Sequence, residues 1–205
     1  MNAILRPLGS ALLMLVFAAG CATGNAWAST EKTARLLANA IEQTTIPTLY
    51  DSAYRVIPYP KGDVPIHRGV CADVIIRAYR SIGLDLQQLV HEDMRRNFSL
   101  YPNLWGLKRA DSNIDHRRVP NLQVFFRRFG SVLAASRRAG DYRPGDLVTW
   151  NLRTKGSLPH IGIVSDRRGR SGNPLIIHNI GLGPQVQDML FAYAITGHYR
   201  YRLDD

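Results

Sequence analysis

Three side chains of this 205-residue chain could carry out nucleophilic chemistry together: Cys71, His160 and His178. Cys71 opens a run in which apolar Val74, Ile75, Ala78 and Ile82 follow at three, four, seven and eleven positions. That spacing draws one face of an α-helix, with the cysteine at its start. Unpaired backbone N–H groups and the positive end of the helix dipole favour a thiolate there, and the thiolate is the nucleophile. Gly69 supplies a flexible entry and Gly83 a stop. Asp73 and Arg77, four apart, are expected to pair on the outer side of the helix.

Both histidines fall in strand-like runs, His160-Ile-Gly-Ile-Val-Ser165 and Leu175-Ile-Ile-His-Asn-Ile180. A polar, glycine-containing turn at residues 167–173 joins them into a hairpin. With the turn centred near Arg170, residues whose numbers sum to 340 face each other. His160 then faces Ile180, and His178 is its diagonal neighbour on the same face. A slip of one residue sets Asn179 beside His160 instead. The expected chemistry is acyl transfer. His160 takes the thiol proton and later protonates the leaving amine, while His178 or Asn179 orients its ring.

The elements that must position these groups are helices followed by strands. A helix is expected over residues 29–44, capped by Thr30, with Leu36, Leu37, Ala40 and Ile41 on one face. Pro47 ends it, and residues 48–69 read as a proline- and tyrosine-rich loop. A second helix is expected over 84–97, an irregular segment over 98–119, and a short helix from Pro120 to Gly130. From Arg143 the period becomes strand-like, at 146–151, 160–165, 175–180 and 196–202. Helices first and a strand meander afterwards imply an α+β domain with an antiparallel sheet.

The first 28 residues read as an export signal. Arg6 precedes an apolar run at residues 11–19, too short to span a bilayer at about 20 residues. Ala26-Trp27-Ala28 is a cleavage site. Ala18-Ala19-Gly20-Cys21 instead resembles a lipoprotein box that would place a lipid anchor on Cys21. Residues 29–205 are then one exported, periplasmic domain, free or membrane-anchored, and expected to be monomeric. Only Cys21 and Cys71 exist. With Cys21 lipidated or removed, Cys71 has no intrachain partner in an oxidising compartment, which flags it as a reactive thiol. Net charge is +10. Export argues against nucleic acid as the partner of that charge and leaves anionic envelope polymers or a solvated surface. His67, His91, Asp111, Asp115 and His116 match no zinc spacing, so neither a metal nor a cofactor is expected. Asp115 and Arg117 are expected to fix the long loop or line a groove. His198 is expected to be structural, and Trp105 and Trp150 to be core or groove wall.

The runs Gly-Asp-Leu-Val-Thr-Trp150, His160-Ile-Gly-Ile-Val and Ile177-His178 resemble NlpC-type cell-wall peptidases. The whole chain looks more like an uncharacterised bacterial envelope family, a domain of unknown function, within the same papain-like superfamily. The resemblance covers about residues 59–179. It implies a papain-like fold, Cys71 as nucleophile, His160 as base, His178 as orienting residue and Tyr59 near the oxyanion site. Asp73 and Asn179 join Tyr59 as oxyanion or substrate candidates. The implied activity is hydrolysis of an amide in peptidoglycan stem peptides or another envelope substrate. The family's Asp-Cys-Ser-Gly is replaced here by Val70-Cys71-Ala72-Asp73, and residues 113–123 lie outside the pattern. A cysteine acyltransferase and a non-catalytic envelope binding protein with a basic surface are the alternatives.

Overall fold

Proline spacing and hydrophobic period divide the chain into a helical half and a strand half. The computed structural model describes Met1 and residues 23–203, with side chains from Glu31 onward. The apolar run at residues 11–19 and Cys21 lie outside the described residues. Helix α1 spans Thr23–Glu42. It begins before the expected Ser29, so Thr30 is not its cap; nothing between Thr23 and Ala28 is a strong helix breaker except Gly24. Leu36, Leu37 and Ala40 are buried, as their spacing requires. Two two-residue strands follow, β1 (Leu49–Tyr50) and β2 (Arg68–Gly69), paired in parallel. The segment read as loop therefore contains a small ladder, too short to leave a periodic signal.

Helix α2 is Cys71–Ser81, α3 is Leu86–Arg96 and α4 is Val119–Phe129, with Pro120 in its first turn. The strands are β3 (Ser131–Val132), β4 (Leu147–Asn151), β5 (Pro159–Arg168), β6 (Pro174–Asn179), β7 (Pro184–Gln187) and β8 (Ala194–Arg200). These six form one antiparallel sheet in the order β3-β8-β4-β5-β6-β7. The protein is thus mixed α plus β. In the β5–β6 hairpin Ile163 faces Ile177 and Val164 faces Ile176.

Strand alternation splits the core in two. On the helix-covered face Leu147, Ile161, Ile163 and Ile177 join Cys71, Val74, Ile75 and Ala78. On the other face Val148, Trp150, Val164 and Ile176 pack with Tyr142, Met189 and Leu190. Helix α2 is buried on every side from Cys71 to Tyr79, rather than on one face. Its charged residues therefore cannot look to solvent. The expected Asp73–Arg77 pair does not form: Asp73 takes Arg117, and Arg77 takes Asp63 at 2.8 Å plus the carbonyls of Val64 and Arg68. A buried ion needs several partners to offset its lost hydration, and each side chain finds them on a different neighbouring segment.

Candidate active site

Cys71 is the first residue of α2, and its side chain is only 4% exposed. No side chain can cap the helix at Val70. Instead the Asp73 carboxylate accepts the Val70 N–H at 2.6 Å. That carboxylate is held in turn by Arg117, Nε to Oδ1 at 2.8 Å and Nη2 to Oδ2 at 2.9 Å. Arg117 also donates to the carbonyls of Asp51 and Ala53. Burial works against its charge, but the bonds to Asp73 outweigh that and strengthen it. Asp73 is thus spent on the helix start rather than offered to a substrate. Gly69 is needed beside it, because a Cβ there would stand 3.0 Å from the Asp73 Oδ2.

The thiol meets strand β5 at its backbone. Backbone N–H groups lie around the sulfur, that of Ile161 on β5 and those of Ala72 and Cys71 at the helix start. These donors favour a thiolate, yet burial, the largest influence, pushes the thiol up to about 11, with the Asp73 charge adding to it. The expectation of an easily ionised thiol is therefore overturned: four-per-cent exposure costs the anion more than the helix start returns. The Tyr50 hydroxyl lies beside Cys71 and is itself pushed up to about 12, by burial first and then by the Cys71 and Asp73 charges.

His160 is the residue before Ile161. Its Nε2 lies 2.8 Å from His178 Nδ1, and His178 Nε2 lies 2.8 Å from Gln187 Oε1. The tautomers follow from the amide. A carbonyl oxygen only accepts, so His178 Nε2 carries the proton and its Nδ1 is a lone pair. His160 Nε2–H donates to that lone pair, and His160 Nδ1 is left as the basic nitrogen. Burial pushes His160 down to about 3, with a further contribution from His178; His178 is pushed to about 4, also by burial. Trp150, register partner of His160, is fully buried with its ring centroid 6.0 Å away. Gly162 makes room: a Cβ there would sit 2.6 Å from Ile176 Cγ2 and 3.1 Å from His178 Cβ.

The remaining expected site residues are placed elsewhere. Asn179 does not orient His160. Its Nδ2 donates to the Gly69 carbonyl at 3.4 Å and its Oδ1 accepts from Gly181, tying the end of β6 to the residue before Val70. Tyr59 packs edge-on against His91, 5.0 Å between centroids, while Tyr50 is the tyrosine at the thiol. His198 donates to Asp146 and stacks on Tyr142. Trp105 is partly exposed under the Arg118 guanidinium. Tyr50 and Gln187 were not found from sequence. A two-residue parallel strand leaves no pattern, whereas Pro184-Gln-Val-Gln187 alternates like a short strand and was within reach. Among the described residues, no group of three or more His, Cys, Asp or Glu side chains is placed to hold a metal ion, and no helix is long and apolar enough to cross a membrane.

With helix, hairpin and histidine pair in place, the chain can be set beside known proteins. Residues 37–201 match the family described as "Domain of unknown function (DUF1287)", and the chain belongs to that family. It is similar to the "Uncharacterized protein YijF" of Escherichia coli (strain K12), 54% identical over 162 residues, covering 79% of this chain and 78% of the relative. No solved structure matches it.

Proposed function

We propose that this protein is an exported cysteine hydrolase of papain-like, NlpC type that cleaves an amide in cell-wall peptides. The observation that carries the reading is the Gln187–His178–His160 chain, with both links at 2.8 Å, on the strand whose next residue, Ile161, packs in the same buried cluster as Cys71. In the resting site the thiol and imidazole are both neutral, because burial has pushed their ionisations in opposite directions. Proton transfer therefore accompanies attack rather than preceding it. Sγ bonds to the substrate carbonyl carbon as the thiol proton passes to His160 Nδ1. The oxyanion forms near the Cys71 N–H and the Tyr50 hydroxyl. His160 then gives the proton to the departing amine as the C–N bond breaks. Water hydrolyses the thioester by the same route in reverse, restoring the thiol and releasing the carboxylic acid. An amine in place of water makes the same site an acyltransferase.

The test is digestion of purified sacculi by the mature protein. Soluble peptides carrying a new amino terminus are expected from wild type and none from Cys71→Ser, with unchanged circular dichroism. Release by both proteins would overturn the mechanism. The raised thiol favours a second reading, a non-catalytic envelope binding protein with the same fold. It predicts sacculus binding that weakens with salt and survives Cys71→Ala, without any release.

A further inference from the structure

The segment that brings Tyr50 to Cys71 continues, four residues on, to a cleft of about 840 Å³. It is lined by Tyr54, His91, Lys108, Arg109, Asp111 and Asn113 among others. This is a ligand-sized volume. One wall is fixed by hydrogen bonds: the Tyr54 hydroxyl donates to Asp111 Oδ2 at 3.1 Å, Asn113 Nδ2 donates to the Tyr54 hydroxyl and to Asp111 Oδ1, and the Ile57 N–H donates to Asn113 Oδ1. Asp111, the acid in the lining, is thus engaged. Its Oδ1 also accepts the Asn113 N–H.

The other groups are unspent. Lys108 and Arg109 are exposed and form no ion pair or hydrogen bond among the described residues. His91 Nδ1 is buried without a hydrogen-bond partner. Burial, helped by Arg95, keeps that imidazole neutral by lowering its proton affinity, so Nδ1 can serve as a single N–H donor. Two cations and one N–H donor around a rigid wall are what a carboxylate takes: a forked guanidinium contact, a point charge and one hydrogen bond.

We propose that this cleft binds a carboxylate of a peptide whose scissile amide lies at Cys71. Tyr54 follows Tyr50 by four residues, which reach at most about 14 Å, so the cleft begins within a short peptide's length of Tyr50. The peptide's link to the thiol rests on the proposed function; the anion site itself does not. Residues 106–113 supply most of the cleft.

The experiment is calorimetric titration of the full mature protein carrying Cys71→Ala. The probes are L-Ala-γ-D-Glu-meso-diaminopimelate and the same peptide with its carboxyl groups amidated. The acid is expected to bind at least tenfold more tightly than the amide, and Lys108→Gln/Arg109→Gln to abolish that difference while circular dichroism is unchanged. Equal affinity for the two peptides, no binding of the acid, or an acid preference that survives the double variant would each overturn the subsite. Turnover separates the two claims. Tight binding of the acid without cleavage by wild type defeats the hydrolase and leaves the subsite. Cleavage with an unaltered KM in the double variant does the reverse.

Discussion

Two pairs of histidines lie buried or half-buried in this protein, and their nitrogens are used differently. On the sheet, His160 and His178 form a chain that ends on Gln187. In the helical half, His91 and His116 each keep a buried Nδ1 without a partner. Burial lowers the proton affinity of all four. The difference lies in what sets the neighbours. In an antiparallel ladder the register fixes which side chains meet, and β5, β6 and β7 place three polar groups in series. His91 sits on α3 and His116 on a single turn of 3₁₀ helix at Asp115–Arg117, where no repeat dictates a partner. The ladder makes a defined proton path; the helical half leaves hydrogen-bonding capacity beside a cleft.

The sharpest way to break this comparison is to remove one histidine from each pair. His160→Ala is expected to lower kcat/KM on a soluble stem peptide by about 10³-fold or more, the scale of losing a general base. His116→Gln is expected to leave it within about threefold, because nothing routes the proton through that ring. Equal losses would mean that both rings serve only to hold the fold.

The ladder itself is broken next. Gly162→Ala places a methyl against Ile176 and His178 in a site with no free space. Overpacking of this kind costs about 1–3 kcal/mol. A lowered urea midpoint is expected together with a loss of activity larger than the stability change explains, since His178 is displaced from His160. Loss of stability with full activity would show that the 2.8 Å contact is not needed.

Acid treats the two pairs alike, which sharpens the comparison from another side. His116 is pushed down to about 3, by burial first and the Arg117 charge second. The unfolded chain binds its proton near pH 6.5, so between about 6.5 and 3 the unfolded state holds more protons than the folded one. Stability therefore falls as pH falls through this window, by up to about 1.4 kcal/mol per pH unit for each such histidine. His116→Gln is expected to recover about 2 kcal/mol at pH 5 relative to its own effect at pH 7. Urea melts at the two pH values check it, and parallel losses in variant and wild type would sink it.

These contrasts also mark what could be read from the chain alone. Period 3.6 after Cys71 and period 2 around His160 and His178 were legible, and the turn at Arg170 gave the hairpin register. The pairing of Asp73 was not, because an i,i+4 spacing assumes a solvated face, while α2 is enclosed and Arg117 arrives from 44 residues away. The thiol's state was not legible either. Helix position is written in the sequence, but burial on all sides is a property of the packing, and burial outweighs the dipole here. Tyr50 leaves no pattern because its strand has two residues, and Tyr59, further along the same segment, packs against His91.

Gln187 gives the smallest expected effect and the finest test of the ladder. Its oxygen accepts from His178 Nε2, which leaves His178 Nδ1 to accept from His160 and His160 Nδ1 to act as base. Gln187→Leu removes that preference, so part of the population holds the unproductive tautomer. A fall of about tenfold in kcat with KM unchanged is expected, the size of one lost orienting hydrogen bond of about 1.4 kcal/mol. Gln187→Glu keeps an acceptor and should restore most of kcat. Its negative charge also strengthens the proton on His178, as the native bond already does in part. The acid limb of the pH–rate profile should therefore move to higher pH in the glutamate variant. A leucine variant with full kcat, or a glutamate variant with an unmoved acid limb, would show that the tautomer of His160 is set by something other than this amide.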